Sequence, residues 1–227
     1  MGKWEFGMSE IKVIRAIDER YSALAEKTCC LSCGGAFGLS DVRPGETAVD
    51  LGSGKGADVL KMAGIVGKTG FAYGVDTAQG MLAAARRNAE KMGIENAKFI
   101  ESTFDNIQLA DGIADLVISN CSINHAADKP KVWAEVFRVL KPGGRFVVSD
   151  IYSSVEVPEA FRNDPEAVAE CWAGAVPKEE YLSTLINTGF NRIRILEESA
   201  PYAKGKIEVS SFTVTGKRPG GGCSCCS

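Results

Sequence analysis

The chain has 227 residues, a hydrophobic fraction of 45% and a net charge of −3, with eight cysteines and one histidine. That length buries a full core in one domain, and the slight acidity argues against a broad basic face for nucleic acid. No apolar run approaches the ~18 residues of a membrane span, and MGKWEFGMSEIK has neither the apolar core nor the cleavage site of a secretory signal, so a cytoplasmic chain with reduced thiols is expected. The single histidine disfavours a histidine-built zinc or iron site.

Residues 9–27 carry Ile11, Ile14, Ile17, Tyr21 and Leu24 at helical spacing behind a possible Ser9 cap. TCCLSCGGAFG then reads as a loop. A strand at 47–51 enters the turn GSGKG, a helix follows at 57–66, a strand at 71–76 and a helix at 78–92. Further strands are expected at 97–101, 114–119 and 145–149, with a helix at 129–140 stopped by Pro142-Gly143-Gly144. Short helices broken by Pro165 and Gly174 precede a helix at 178–188, and strands at 191–197 and 207–215 close the pattern. Alternating strands and helices imply an α/β, Rossmann-like, doubly wound and mainly parallel sheet, and the last two strands imply an antiparallel edge. The expected organisation is an N-terminal helix and Cys/Gly-rich lid at 1–40, one catalytic domain at 41–217 elaborated at 152–177, and a flexible cysteine tail at 218–227.

Gly52-Ser53-Gly54-Lys55-Gly56 joins the first strand to a helix, and Asp76 ends the next strand 22 residues beyond Gly54. Glycines let backbone approach a ligand, the helix beyond offers amides, and a strand-end carboxylate can accept both hydroxyls of a ribose. This layout suits S-adenosylmethionine or a dinucleotide, and a tight turn that binds nothing is the plain alternative. The series Asp50-Leu51-Gly52-Ser53-Gly54, Gly74-Val75-Asp76, Asp115-Leu116-Val117 and Arg138-Val139-Leu140-Lys141-Pro142-Gly143-Gly144-Arg145 resembles, in order, the motifs of class I S-adenosylmethionine methyltransferases. The resemblance implies that Asp50, Gly52, Ser53, Gly54 and Asn120 line the cofactor site. It assigns Asp76 and Thr77 to the ribose end, and Thr103 and Phe104 to adenine.

Buried packing is the default for a reduced cysteine. Cys121 differs by position, since it follows the carboxyl end of the fourth strand. Cys171 lies in the elaboration that would roof that end, and Cys33 lies in the loop before the first strand. Three distant thiols could therefore meet around one atom. Ser119-Asn120-Cys121-Ser122-Ile123-Asn124 with Asp128-Lys129 resembles the S-N-C-V-I-N-L-x-x-D-K signature of the arsenite S-adenosylmethionine methyltransferases. Glu170-Cys171-Trp172-Ala173-Gly174-Ala175 is similar to that family's E-C-x-x-G-A-L, and Cys33-Gly34, Pro44-Gly45-Glu46-Thr47, Arg20-Tyr21 and Cys29-Cys30 match further segments. Cys30 and Cys33 stand closer together than is usual in the family, and the sequence stops soon after the core, where longer members carry another domain.

The resemblance implies methyl transfer from S-adenosylmethionine to trivalent arsenic bound as a thiol complex, with Cys33, Cys121 and Cys171 as catalytic ligands. Cys29 or Cys30 would serve as a redox relay reset by thioredoxin or glutathione. No nucleic-acid or membrane partner is expected. Soft, pyramidal arsenic suits three thiolates, and alignment with the methyl donor supplies the catalysis. His125 reads as a proton acceptor for a cysteine or as a surface residue. The tail thiols Cys223, Cys225 and Cys226 read as an arsenic-capturing arm, a soft-metal site, a redox relay or a tail without a role. Two other functions fit the motifs less fully: a quinone-type C- or O-methyltransferase, and a thiol protein that binds arsenite without turnover.

Overall fold

The computed structural model describes residues 34–162, 164, 171–204 and 207–221. The expected helix at 9–27, Cys29, Cys30, Cys33 and the tail cysteines lie outside the described residues.

Strand β1 (Thr47–Leu51) sits at the centre of an eight-stranded sheet with β2 (Phe71–Asp76), β3 (Ala97–Glu101), β4 (Ala114–Asn120), β5 (Leu140–Ser153), β6 (Asn191–Glu198), β7 (Tyr202–Lys204) and β8 (Ile207–Lys217). The order is β3-β2-β1-β4-β5-β8-β6, with β7 paired to β8. The first five strands are parallel, and β8 runs antiparallel to β5, β6 and β7. The doubly wound parallel sheet with an antiparallel edge is therefore as the alternation of elements implied.

Side chains on β1 and β4 alternate between two cores. Val49, Leu51 and Val117 face the helices α4 (Lys129–Val139) and α6 (Lys178–Thr188), where Trp133, Val136, Tyr181 and Leu185 are buried. Ala48, Leu116 and Ile118 face α2 (Ala57–Val66) and α3 (Gln79–Lys91), as α1 (Ala36–Leu39) contributes Ala36 to the same core. The centre of the first core is aromatic. Trp133 lies 4.9 Å from Phe146, 5.8 Å from Tyr181 and 5.9 Å from Phe190, and each such pair contributes about 0.5–1.5 kcal/mol beyond area burial.

Most expected elements lie within one or two residues of their observed bounds, and the large departure is β5. The strand expected at 145–149 runs over Leu140–Ser153. Leu140 already pairs with Ala114, so the register shift before Leu116 absorbs Pro142-Gly143-Gly144, with Gly143 at φ 86. Beyond Ser149 the strand continues because β8 pairs with it as far as Ser153. The expected pair of closing strands gains β7 between them, while α5 (Glu159–Arg162) is one of the short helices expected in the elaboration. A separate small core of Ile151, Val157, Trp172, Ala173, Ala175, Ile207 and Val209 seats that elaboration on the sheet, with Phe161 packed 5.3 Å from Trp172.

The order reverses between β1 and β4, which pair through Leu51 and Ser119. Their carboxyl ends open side by side, and this is where an open α/β sheet accepts ligands.

Candidate functional site

The glycine turn leaves β1 and folds back on β2. The amides of Gly52 and Ser53 both donate to the Val75 carbonyl, at 2.8 and 3.1 Å. Asp76 then clamps the turn, one carboxylate oxygen accepting from Gly54 N at 2.8 Å and the other from Ala78 N at 2.9 Å. A carboxylate has acceptor capacity beyond these two bonds, so the clamp and a diol can share it. Thr77 lies half-buried between them. Asp50 is 4% exposed on the α2 face of β1. Burial pushes its carboxyl well above the ordinary range, and the nearby charges of Asp58 and Asp76 push the same way.

Two buried hydroxyls, Ser53 Oγ and Thr103 Oγ1, have no hydrogen-bond partner among the described residues. Buried hydroxyls without partners are costly, so their presence beside the clamp suits a polar ligand that supplies the missing bonds. Phe104 sits over the same turn, since a Cβ placed on Gly52 would lie 3.8 Å from its Cζ. A carboxylate, two unsatisfied hydroxyls, an aromatic ring and open glycine backbone are a set of groups that fits S-adenosylmethionine.

The loop after β4 is the hub of the site. Gly52, at φ +78, approaches it so closely that an added Cβ would lie 1.8 Å from Ser122 Oγ. Gly174, from the elaboration, approaches the other side, where an added Cβ would lie 1.8 Å from the Asn124 carbonyl oxygen. Gly34 packs on Asn120 and Ser149 at 2.5 Å by the same measure. The Asn120 side chain accepts from Ala36 N at 3.2 Å and donates to Asp58 at 3.4 Å. Asn120 thus ties the segment that follows Cys33 to α2.

Cys121 and Cys171 are both half-buried. Both have left-handed backbones, at φ 54 and φ 72, and only Asp41 and Arg192 share that sign among the described non-glycine residues. Such a conformation costs about 1–2 kcal/mol in a residue with a Cβ, and it clusters at functional sites. Cys121 N–H donates to the Ser149 carbonyl at 2.8 Å, which fixes the first turn of the loop. Cys171 Sγ lies 3.2 Å from His125 Nε2. No group of three or more His, Cys, Asp and Glu side chains placed to hold a metal ion occurs among the described residues. Cys33 itself lies outside them.

Beneath the loop is a polar cluster that the sequence reading missed. Asp150 is fully buried next to Ser149, and burial pushes its carboxyl up to about 7, against the pull of the Ile151 N–H, Lys129 and Tyr181. Burial in turn depresses the Lys129 ammonium. Asn124 donates to the Ile151 carbonyl at 2.7 Å. The Asp128-Lys129 part of the motif has a structural role here: Asp128 caps α4 by accepting from Lys131 N at 3.0 Å, and Lys129 donates to the Ala126 carbonyl at 3.3 Å.

Among the described residues no helix is long and apolar enough to cross a membrane. A family profile described as "Methyltransferase domain" matches residues 43–189. An arsenite methyltransferase of Halobacterium salinarum is 36% identical over 165 residues, which are 73% of this chain and 42% of that protein. The arsenite methyltransferase of Homo sapiens is 36% identical over 63% of this chain and 40% of its own length. This chain therefore spans less than half the length of these curated relatives. The crystal structure of an arsenic(III) S-adenosylmethionine methyltransferase from Chlamydomonas reinhardtii superposes with a TM-score of 0.72 at 28% identity, covering 91% of this chain and 73% of that one.

Proposed function

This chain belongs to the methyltransferase-domain family, and on that premise we propose that it transfers methyl groups from S-adenosylmethionine to trivalent arsenic held by cysteine thiolates. When bound, S-adenosylmethionine supplies an electrophilic methyl group on a sulfonium sulfur. Gly52 and Gly54 give the backbone surface for its amino-acid portion, with Asp50 and Ser53 behind them. Asp76 and Thr77 take the ribose end, and Thr103 and Phe104 the adenine.

The observation that carries the arsenic reading is the pairing of two strained cysteines on segments that pack backbone against backbone. Cys121 and Cys171 come from segments on either side of β5, and the Gly174–Asn124 contact holds those segments together at the carboxyl end of β4. Cys33 is one peptide bond from Gly34, which packs on Asn120 next to Cys121. The third thiolate is therefore assigned to Cys33. Trivalent arsenic is soft and prefers thiolate sulfur, and three such ligands leave its lone pair free to meet a methyl group. Holding that lone pair in line supplies the rate, so no general base at arsenic is required. Cys29 and Cys30 are assigned as relay thiols, reset by thioredoxin or glutathione. Free thiols in this role call for a reducing compartment, and the cytoplasm is the proposed location.

The test supplies the protein with arsenite, glutathione and S-adenosylmethionine and separates arsenic species by chromatography with mass detection. Methylated arsenic is expected from the native chain. Cys121→Ser and Cys171→Ser should each lose arsenite methylation while binding S-adenosylmethionine with unchanged affinity by calorimetry. A native chain that makes no methylated arsenic under reducing conditions, or a Cys121→Ser variant with full activity, overturns the proposal.

A further inference from the structure

One contact that the proposed function leaves unassigned joins the chain's single histidine to Cys171. His125 Nε2 stands 3.2 Å from Cys171 Sγ, within hydrogen-bonding reach for sulfur. We infer that His125 is the proton-accepting partner of Cys171, a positioning residue that works through that thiol when arsenic exchanges its ligands. The inference rests on the arsenic reading above.

Several features build this contact. His125 ends the short 3-10 turn Ile123–His125, and its backbone N–H donates to the Ser122 carbonyl at 3.1 Å. The preceding residue, Asn124, is seated from two sides, by its bond to the Ile151 carbonyl and by Gly174 against its own carbonyl. Gly174 is three residues from Cys171, so the contact that seats the histidine's loop also sets the distance to the thiol. Cys171 is held at φ 72, a left-handed backbone that is costly in a residue with a Cβ, and its Sγ meets the imidazole there. The related arsenite methyltransferase signature has leucine where this chain has His125. The imidazole is thus a property of this chain's own residues.

The chemistry that needs such a partner is thiol exchange on arsenic. Trivalent arsenic arrives already bound to three small-molecule thiolates. In the exchange at Cys171, the Sγ–H bond breaks and an arsenic–Sγ bond forms, while one arsenic–sulfur bond to the incoming thiol breaks. The proton moves from Sγ to His125 Nε2 and then to the departing thiolate, which leaves as free thiol. Arsenic stays trivalent throughout, and no electron acceptor is involved. A cysteine without such help has a pKa near ~8.5, so only a few per cent of it is thiolate at neutral pH. An imidazole at hydrogen-bonding distance raises the share of reactive sulfur and takes up the proton locally.

The experiment compares the full chain with His125→Leu and His125→Gln, without S-adenosylmethionine. Iodoacetamide alkylation of Cys171 is followed by peptide mass spectrometry, with Cys121 as the internal reference. In parallel, capture of arsenic triglutathione is followed by stopped-flow fluorescence, using Trp172 beside Cys171 as reporter. His125→Leu should slow both reactions at Cys171 by roughly tenfold and leave Cys121 alkylation unchanged. His125→Gln keeps a hydrogen-bond donor but cannot take the proton, and should be equally slow. Unchanged rates in His125→Leu overturn the inference. So does a full recovery in His125→Gln, which would reduce the histidine to a hydrogen-bonding prop, and so does equal slowing at both cysteines. Alkylation does not depend on methyl transfer. Slowing at Cys171 in a chain that makes no methylated arsenic would therefore sustain the His125–Cys171 pair while the activity fails.

Discussion

Gly174→Ala tests how closely the elaboration must lie on the β4 loop. The added Cβ would stand 1.8 Å from the Asn124 carbonyl oxygen and 2.9 Å from the carbonyl carbon. Both are backbone atoms, so no side chain can swing aside. An ordinary carbon–oxygen contact is about 3.3 Å, so the two segments must part by about 1.5 Å. His125 and Cys171 sit on opposite sides of this seam, and their 3.2 Å contact is lost by a shift of that size. Displacements near 1 Å in a reacting constellation cost about a hundredfold in rate. Overpacking of this kind also costs about 1–3 kcal/mol of stability, which lowers the melting temperature by several degrees in a chain of this length. The assay is steady-state methylation of arsenite, with thermal unfolding and calorimetric binding of S-adenosylmethionine as companions. The expected result is a fall of about a hundredfold in kcat, a lower Tm and unchanged cofactor affinity, because the glycine turn does not touch Gly174. Turnover within twofold of the native chain at an unchanged Tm would refute the reasoning.

Asp76→Ala removes the acceptor for Gly54 N and Ala78 N as well as the proposed ribose contact. Charged hydrogen bonds contribute about 1.5–3 kcal/mol, so the Kd for S-adenosylmethionine should rise roughly 10–100-fold by calorimetry. A change of less than threefold would remove Asp76 from the cofactor site. Asp150→Asn addresses the buried cluster. The Asp150 carboxyl stands at about 7 in the fold against an ordinary 3.8, so the folded state holds a proton that the unfolded chain releases between those values. Native stability should therefore fall as pH rises from about 4 to 7 through this group, by a few kcal/mol at most. Asn keeps an acceptor for the Ile151 N–H and has no proton to lose. The variant should gain on the native chain between pH 5 and pH 8 in urea unfolding; parallel curves would contradict the assignment.

Much of the parallel half was legible because its signals are local. The helices at 57–66 and 178–188 and the strands at 47–51, 71–76 and 97–101 have the bounds that periodicity and glycine stops gave them. β5 was read too short because its extension depends on distant partners. Ala114 opens it, β8 carries it to Ser153, and neither pairing leaves a mark within KPGGR. At the site, Asp76, the glycine turn and Cys121 were visible as residue types at strand ends. The packing of Gly34, Gly52 and Gly174 on one loop was not, since glycine carries no side chain whose chemistry announces a neighbour. Asn120 is legible as a cofactor residue by motif, but its second task, joining Ala36 to Asp58, is not. His125 was visible as a residue, but its partner lies 46 positions away and could only be found in three dimensions.

The three glycine contacts also join the glycine turn, the start of the described chain at Gly34 and the elaboration into one unit. Ser122 meets the glycine turn, Asn124 meets the elaboration, and Asn120 meets the segment after Cys33. Five consecutive residues, 120–124, therefore set the distance between the nucleotide half and each thiol-bearing segment. Close-packed backbone contacts of this kind do not stretch by small amounts; they hold or they part. A displacement of the elaboration consequently opens the seam at Asn124 and separates Cys171 from His125, rather than being absorbed by side-chain rotation. Methyl transfer to a bound atom needs that rigidity more than it needs acid–base groups, since its barrier is set by alignment. The residues that enforce the alignment are the ones without functional side chains, so the proposed cysteine site would depend on glycines to place its thiols.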